Sequence, residues 1–474
     1  MGWLTWMEPL RYEPPEESAR RYKAQHPVVD AEFLSDEPTG LVLGTQGKKY
    51  VRVPISKGNI QNAIIMGAPG CGKSVLLLST LINQLNVVPE DERMTFFAID
   101  IKPELAKKSV AYRGNPRVKV MNPMDRTTYG WNPYYNLSSD SSDDDVMAEL
   151  DIIANALIHS GKDNKNEFFY ESARTVMKAI LFWTYKQGYS FIQGLNYLME
   201  DDIAGCIIKV LDAVEGKPEL ISVSRLLKSY AAKDSEAFQG IELTFKQSLS
   251  CFTTQTVQFF LDGNLRKASP NDLEEHISVF FSIPETKIEE YQCLLRLVTM
   301  QIMKHCSGRS EDSHMLTLVI DEAARLGSIN WTSFLSTSRS RQCATILAFQ
   351  SLSQMQTCWS KEEAKSLIEL CRVIAVLSCT DVDTANMLSN WVGTYKEEKL
   401  SHNEGGKNKG TYSRSYEDKK ILEPSDIMTL QDSNEVILFI KGKYYRCDVS
   451  GARYFNIKEL NEISQQCVAA NEEE

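Results

Sequence analysis

One stretch limits what this 474-residue chain can become. The apolar run Ala63-Ile64-Ile65-Met66 leads into Gly67-Ala68-Pro69-Gly70-Cys71-Gly72-Lys73-Ser74, and the apolar segment Val75 to Ile82 follows. A buried strand, the pattern G-x-x-x-x-G-K-S and a helix-forming run together specify a loop that wraps phosphate. Its glycines let successive backbone N–H groups converge on phosphate oxygens where a side chain would intrude. The helix that follows aims its positive dipole end at the same anion. The pattern assigns Gly67, Ala68, Pro69, Gly70, Cys71, Gly72, Lys73, Ser74 and Val75 to nucleotide binding. Lys73 is expected to reach the β- and γ-phosphates, and Ser74 to offer its hydroxyl to Mg²⁺. A glycine turn that happens to end in Lys-Ser is the bland alternative, and a second element downstream argues against it.

That element is Leu316-Thr317-Leu318-Val319-Ile320 followed by Asp321-Glu322. A run this continuous, with no alternation, reads as a parallel strand buried on both faces. Open α/β sheets bind ligands at the carboxyl ends of such strands, which is where the two carboxylates fall. Asp321 is then a Mg²⁺ ligand through water, and Glu322 polarises the attacking water. Two rare patterns in this order read as a P-loop NTPase. A third polar residue fits: the strand Ala344 to Phe349 ends at Gln350. If that strand neighbours the Asp321 strand, Gln350 reaches the γ-phosphate or its water.

Composition excludes several classes. A hydrophobic content of 43% with 24% charged residues belongs to an ordinary globular protein. The net charge of −11 argues against coating nucleic acid by bulk attraction, though it leaves room for a local basic channel. The eleven cysteines contain no C-x-x-C pair and the six histidines no H-E-x-x-H, so neither a disulfide frame nor a zinc site is expected, and a reducing cytosol is the simplest setting. No run approaches the roughly 18 apolar residues of a membrane span. The tryptophans of Gly2-Trp3-Leu4-Thr5-Trp6-Met7 are expected to fold back onto the domain, the alternative being contact with a membrane surface or a partner.

Along the chain, residues 1–40 read as a polar arm without regular structure, broken by Pro14-Pro15 and Glu16-Glu17. Residues 41–137 read as the first part of a nucleotide-binding domain. They carry a hairpin (Leu41 to Gly44, Lys49 to Pro54, with a turn at Thr45-Gln46-Gly47) and further strands at Met94 to Asp100 and Val118 to Met121. Six basic residues against one acid between Lys102 and Lys119 suggest a solvated face, with a phosphate-binding one as the alternative. From 138 to 265 the periods are helical, with Val146, Leu150, Ile153 and Leu157 on one stripe, which predicts an inserted all-α domain behind a Ser/Asp cap. Residues 266–474 resume the sheet at Ile277 to Ile283, then at Val373 to Ser378 and Glu435 to Lys441. Glu397 to Lys419 is polar with Gly405, Gly406 and Gly410 and reads as a mobile loop, and Glu472 to Glu474 as a solvated tail.

The chain resembles the TraG/TraD-like coupling-protein ATPases of type IV secretion and conjugation, relatives of the FtsK/HerA translocases. The resemblance rests on Gly67 to Ser74, on Asp100-Ile101-Lys102-Pro103-Glu104 as D-x-K-x-E, on Trp131-Asn132-Pro133 and on Phe168 to Ala173. Asp321-Glu322-Ala323 and the run from Ser338-Arg339 to Gln350-Ser351-Leu352-Ser353-Gln354 complete it. It covers roughly Gly40 to Asn456. It implies a RecA-like P-loop domain with a predominantly parallel sheet, an inserted all-α domain, ATP and Mg²⁺ as cofactors, and a homo-hexameric ring at the cytoplasmic face of the membrane. The implied partners are the secretion channel and a cargo of single-stranded DNA or relaxase–DNA complex. Arg339 falls at the family's arginine position and is the implied trans-acting finger, with Arg341 as rival. Members usually begin with membrane-spanning helices, so a segment outside this sequence or a membrane-protein docking partner is implied. Trp131 has two readings, stacking near the nucleotide or filling the core. Two other functions remain open: a receptor ring for secreted proteins with ATP as a structural switch, and an FtsK/HerA-like DNA translocase.

Overall fold

The computed structural model describes residues 15–56, 59, 61–159, 167–199, 202–231, 235–327, 329–403 and 411–472. In chain order the strands are β1 (Leu34–Ser35), β2 (Leu41–Gln46), β3 (Lys49–Val53), β4 (Ala63–Met66), β5 (Thr95–Asp100), β6 (Val118–Met121), β7 (Gly130–Trp131) and β8 (Lys267–Ala268). They continue with β9 (Ser278–Ser282), β10 (Leu316–Ile320), β11 (Cys343–Phe349), β12 (Val373–Val376), β13 (Thr394–Asn403), β14 (Thr411–Lys420), β15 (Glu435–Ile440) and β16 (Lys443–Asp448).

Twelve of these form one sheet in the order β1-β3-β2-β16-β15-β12-β4-β11-β10-β5-β9-β6. From β12 to β6 every pairing is parallel. From β12 outward through β15 to β1 the pairings are antiparallel. The parallel strands are apolar throughout because both of their faces are covered. In β4, Ile64 and Met66 pack into one layer and Ala63 and Ile65 into the other. The first layer joins the sheet to the helical excursion. The second holds the phosphate-loop helix Lys73–Ile82 and Leu460 of the helix Lys458–Glu472.

Between β7 and β8 the chain runs through seven α-helices from Asp143 to Asp262, with no strand among the described residues. Ser142 caps the first of them by accepting the Asp145 N–H, and Asp143, Asp144 and Asp145 fill its first turn, where the helix dipole favours negative charge. Departure and return lie side by side, since Gly130 and Trp131 pair with Lys267 and Ala268.

Four readings of the sequence need correction. Residues 15–25 form a helix, which Pro15 opens from the first helical position, where its missing N–H costs nothing. Tyr444 donates its hydroxyl to Gln25 O at 2.8 Å and Gln25 Nε2 donates to Ile421 O at 3.0 Å, so this segment is docked on the sheet. The expected loop from Glu397 to Lys419 is instead the hairpin β13–β14, a polar ribbon whose backbone ladder runs from Thr394 opposite Lys420 to Asn403 opposite Thr411. Gly405, Gly406 and Gly410 lie outside the described residues. Glu472 belongs to the last helix and pairs with Lys107 at 2.5 Å, while Glu473 and Glu474 are outside the described residues. The turn of the first hairpin sits at Gly47, φ +63°, so Thr45 and Gln46 stay in the strand. Trp3 and Trp6 are also outside the described residues. Among the described residues no helix is long and apolar enough to cross a membrane.

Candidate nucleotide site

The strand order creates the site. β11 separates β4 from β10, so the loop after β4 and the carboxylates after β10 face each other across one strand. Phe349 lies beside Met66 and Leu347 beside Ile320, which brings all three strand tips level.

In the phosphate loop, a Cβ on Gly67 would sit 2.4 Å from Cys71 Sγ, so only glycine fits there. Gly72, at φ +103°, precedes the first turn of the helix in a conformation that L side chains rarely adopt. Lys73 Nζ donates to Gly67 O at 2.7 Å and lies 3.8 Å from Glu322 Oε1. Ser74 Oγ donates to the Asp321 carboxylate at 3.2 Å, across 247 positions of chain. Val75 follows in the same helix, half-buried. Glu322 has φ +63° and ψ +57°, the left-handed region, which costs a non-glycine residue roughly 1–2 kcal/mol. The turn it makes directs its carboxylate toward Lys73 on one side and Gln350 on the other. Gln350 Nε2 donates to Glu322 Oε2 at 2.9 Å.

The electrostatics are those of crowded, buried carboxyl groups. Burial is the largest influence on Asp321, and the negative charges of Asp100 and Glu322 add to it; Lys73 and Ser74 oppose. The balance pushes the Asp321 carboxyl up to about 7. Asp100, at the tip of β5, is raised in the same direction by burial. Its oxygens accept the N–H groups of Glu104 at 3.1 Å and Ala106 at 3.1 Å and the hydroxyl of Ser282 at 3.2 Å. A hydroxyl and a carboxylate at this spacing are hard oxygen donors, too few to cage a metal alone. Such a set suits Mg²⁺, which keeps water and shares a substrate's phosphates. Ser74 and Asp321 are the residues that could hold it.

Other residues named from the sequence fall elsewhere. Trp131 is fully buried and donates Nε1–H to Gln301 Oε1 at 2.8 Å, so it fills the core and does not stack on a nucleotide. Gln301 Nε2 in turn donates to Pro133 O and to Glu149 Oε1, both at 2.7 Å, tying Trp131-Asn132-Pro133 to the first inserted helix. Arg339 and Arg341 precede β11 and thus stand at the end of the sheet opposite Gln350, seven strand residues away, or about 20 Å. Arg339 is exposed, and Arg341 donates to Arg309 O at 2.9 Å. Neither enters the site of its own chain. Sequence reasoning missed Ser378, whose hydroxyl accepts the Ala68 N–H at 2.7 Å. It follows β12, the other neighbour of β4, and the strand-tip rule that singled out Gln350 applies to it equally.

Comparison with known proteins bears on the fold. Residues 315–432 match a family described as "TraM recognition site of TraD and TraG". The type IV secretion system-coupling protein VirD4 of Bartonella quintana (strain Toulouse) is 21% identical over 368 residues, covering 73% of this chain and 56% of the relative. VirD4 of Bartonella henselae is likewise 21% identical over 367 residues, with the same coverage. The chain therefore spans a little over half the length of these relatives. Among solved structures, the unbound bacterial conjugative coupling protein TrwBdeltaN70 superposes with a TM-score of 0.65 at 19% identity, covering 87% of this chain and 89% of that one. TrwB in complex with an ATP analogue, ADPNP, gives a TM-score of 0.63 at 20% identity, covering 82% and 85%. The fold is that of the coupling protein: a RecA-like P-loop core with a large helical insertion.

Proposed function

We infer that this chain, a member of the TraG/VirD4-type coupling-protein ATPases, hydrolyses ATP with Mg²⁺ to drive transfer of single-stranded DNA or a relaxase–DNA complex into a type IV secretion channel. The observation that carries this is the meeting of Ser74 with Asp321 at 3.2 Å, with Glu322 and Gln350 joined beside them. TrwB, which shares the fold, has been solved with ADP and Mg²⁺. In this reading Lys73 exchanges its bond with Gly67 O for phosphate oxygens; Ser74 and Asp321 would hold Mg²⁺, which would supply charge neutralisation for the triphosphate. Glu322 orients and deprotonates the attacking water. Gln350, bonded to Glu322, reports whether the γ-phosphate is present. Arg339 acts on a neighbouring subunit's nucleotide, which requires a ring, and a homo-hexamer is the proposed active form. The ring sits at the cytoplasmic face of the membrane beside channel components or a docking membrane protein. The family description of residues 315–432 extends the proposal to an accessory partner of the TraM kind.

The test is ATP turnover by wild type and Glu322→Gln, with and without Mg²⁺ and single-stranded DNA. Loss of the base should lower the rate by about 10²–10⁴ while nucleotide binding persists. A Glu322→Gln protein with wild-type turnover would sink the assignment. A second reading, a receptor ring for secreted proteins with ATP as a switch, is favoured by the acidic start of the helical insertion at Asp143 to Asp145. ATP turnover unaffected by DNA at any salt concentration would select it.

A further inference from the structure

A cavity of about 510 Å³ opens at the outer edge of the sheet beside β6, with Tyr112, Arg113, Asn115, Thr127, Tyr129 and Arg266 in its walls. The walls come from two sources. Tyr112 and Arg113 belong to the core, on the turn that precedes β6. Thr127, Tyr129 and Arg266 belong to the two connectors through which the chain departs for the helices and returns. Those connectors are joined there by Gly130 N donating to Arg266 O at 2.9 Å, and the first is tied to β6 by Tyr129 N donating to Val120 O at 2.9 Å. A ligand in the cavity touches core and joint at once.

The charge in this place runs against the rest of the molecule. In a chain of net charge −11, the neighbouring cations are neutralised, Arg117 by Glu90 and Lys119 by Asp272. Arg113, Arg126 and Arg266 are exposed and none of them is ion-paired to a carboxylate of the described residues. Arg126 lies over the Phe259 ring at 4.7 Å, and Arg266 over the Tyr129 ring at 5.0 Å. A guanidinium attracted to a ring face still has N–H donors to spare, and its fork of donors matches phosphate. Asp125, the acid closest in sequence, spends one carboxylate oxygen on Thr127, accepting its N–H at 2.9 Å and its hydroxyl at 2.7 Å. Lys267 Nζ is likewise occupied, donating to Phe260 O and Leu261 O. The cavity is too large for one phosphate, and it combines dispersed guanidinium groups with tyrosine rings. That combination suits a strand whose phosphates and unpaired bases are both within reach.

We propose that this cleft is a single-stranded nucleic-acid site separate from the phosphate loop. Arg113 and Arg266 in its walls, and Arg126, next in the chain to the wall residue Thr127, hold phosphates of the strand; Tyr112 lies against a base, and Tyr129 backs the Arg266 guanidinium. This rests on the DNA-motor reading above and adds where the strand is felt: at the joint between core and helical insertion.

The experiment measures binding of a fluorescent oligothymidylate to the full chain by anisotropy across a salt series, and ATP turnover with and without that strand. The proteins compared are wild type, the triple variant Arg113→Gln/Arg126→Gln/Arg266→Gln, and the same three positions changed to Lys. The Gln variant should bind at least about ten-fold more weakly. Its salt slope should fall by about 2, since each phosphate that is no longer neutralised removes about 0.7. Its DNA-independent ATP turnover should stay at the wild-type value, which also shows that it is folded. The Lys variant should recover most of the salt slope. Wild-type affinity and slope in the Gln variant, with DNA-stimulated turnover intact, would overturn the site and leave the motor reading standing. Absence of ATP turnover in wild type would instead overturn the motor reading. Displacement of the strand by poly-glutamate at equal charge concentration would show a site that reads charge alone, and would overturn the nucleic-acid assignment.

Discussion

Asp321 offers a quantitative test of the site without any nucleotide. Its carboxyl is raised from 3.8 to about 7, chiefly by burial and then by Asp100 and Glu322. A rise of that size corresponds to about 4 kcal/mol of differential interaction between the two protonation states. The sign follows from proton counting. Between pH 3.8 and about 7 the native state holds a proton that the unfolded state has released, so stability falls as pH rises through that window and is lowest above it. Asp321→Asn removes the titration while keeping shape and a partner for the Ser74 hydroxyl. The Asn protein should therefore be more stable than wild type by up to about 4 kcal/mol at pH 8, with the advantage shrinking to about 2 kcal/mol at pH 5. Urea denaturation of both proteins at the two pH values, free of nucleotide and divalent metal, reads this directly. An advantage independent of pH would refute the argument, because it would mean that Asp321 is not a charge held against its surroundings. Adding MgATP at about 100 times its Kd should raise only the wild type, by about 2.7 kcal/mol.

Three further substitutions separate loop, hydrogen bond and core. Gly67→Ala would force a methyl group to 2.4 Å from Cys71 Sγ and 3.2 Å from Leu377 Cβ, so titration calorimetry with an ATP analogue should show affinity lowered at least ten-fold. Ser378→Ala strips the acceptor from the Ala68 N–H and should cost about 1–3 kcal/mol, with faster hydrogen exchange at that amide. Trp131→Phe leaves Gln301 Oε1 without its donor and opens a small cavity, for a loss of about 2–4 kcal/mol in thermal or urea unfolding. ATP turnover per folded molecule should not change; a specific loss would restore a nucleotide-stacking role for that ring.

The parallel strands were legible because burial on both faces leaves no room for polar residues: Leu316 to Ile320 and Ala63 to Met66 announce themselves. The same logic hides edge and ribbon strands. β13 and β14 carry Glu397 and Lys419, which pair with each other across the ladder, and a polarity filter takes such residues for a loop. β16 alternates exposed and buried positions over six residues and is short enough to pass as a turn. Strand order cannot be read along the chain, so the contact of Gln350 with Glu322 could be stated only conditionally from sequence. The position of Asp100 beside Asp321, which raises the Asp321 carboxyl, depends on β5 lying next to β10 and has no local signal. Nor does the left-handed backbone at Glu322, where a reader would expect glycine.

The pairing of β7 with β8 bears on how such a chain can change over time. Because the excursion begins and ends at adjacent residues, the sheet experiences everything between Trp131 and Lys267 as it would a tight turn. Helices can be lengthened, replaced or lost there without moving a single strand of the ATP-binding layer. Whatever the helices contact is thereby free to diverge while the sheet beneath them stays fixed.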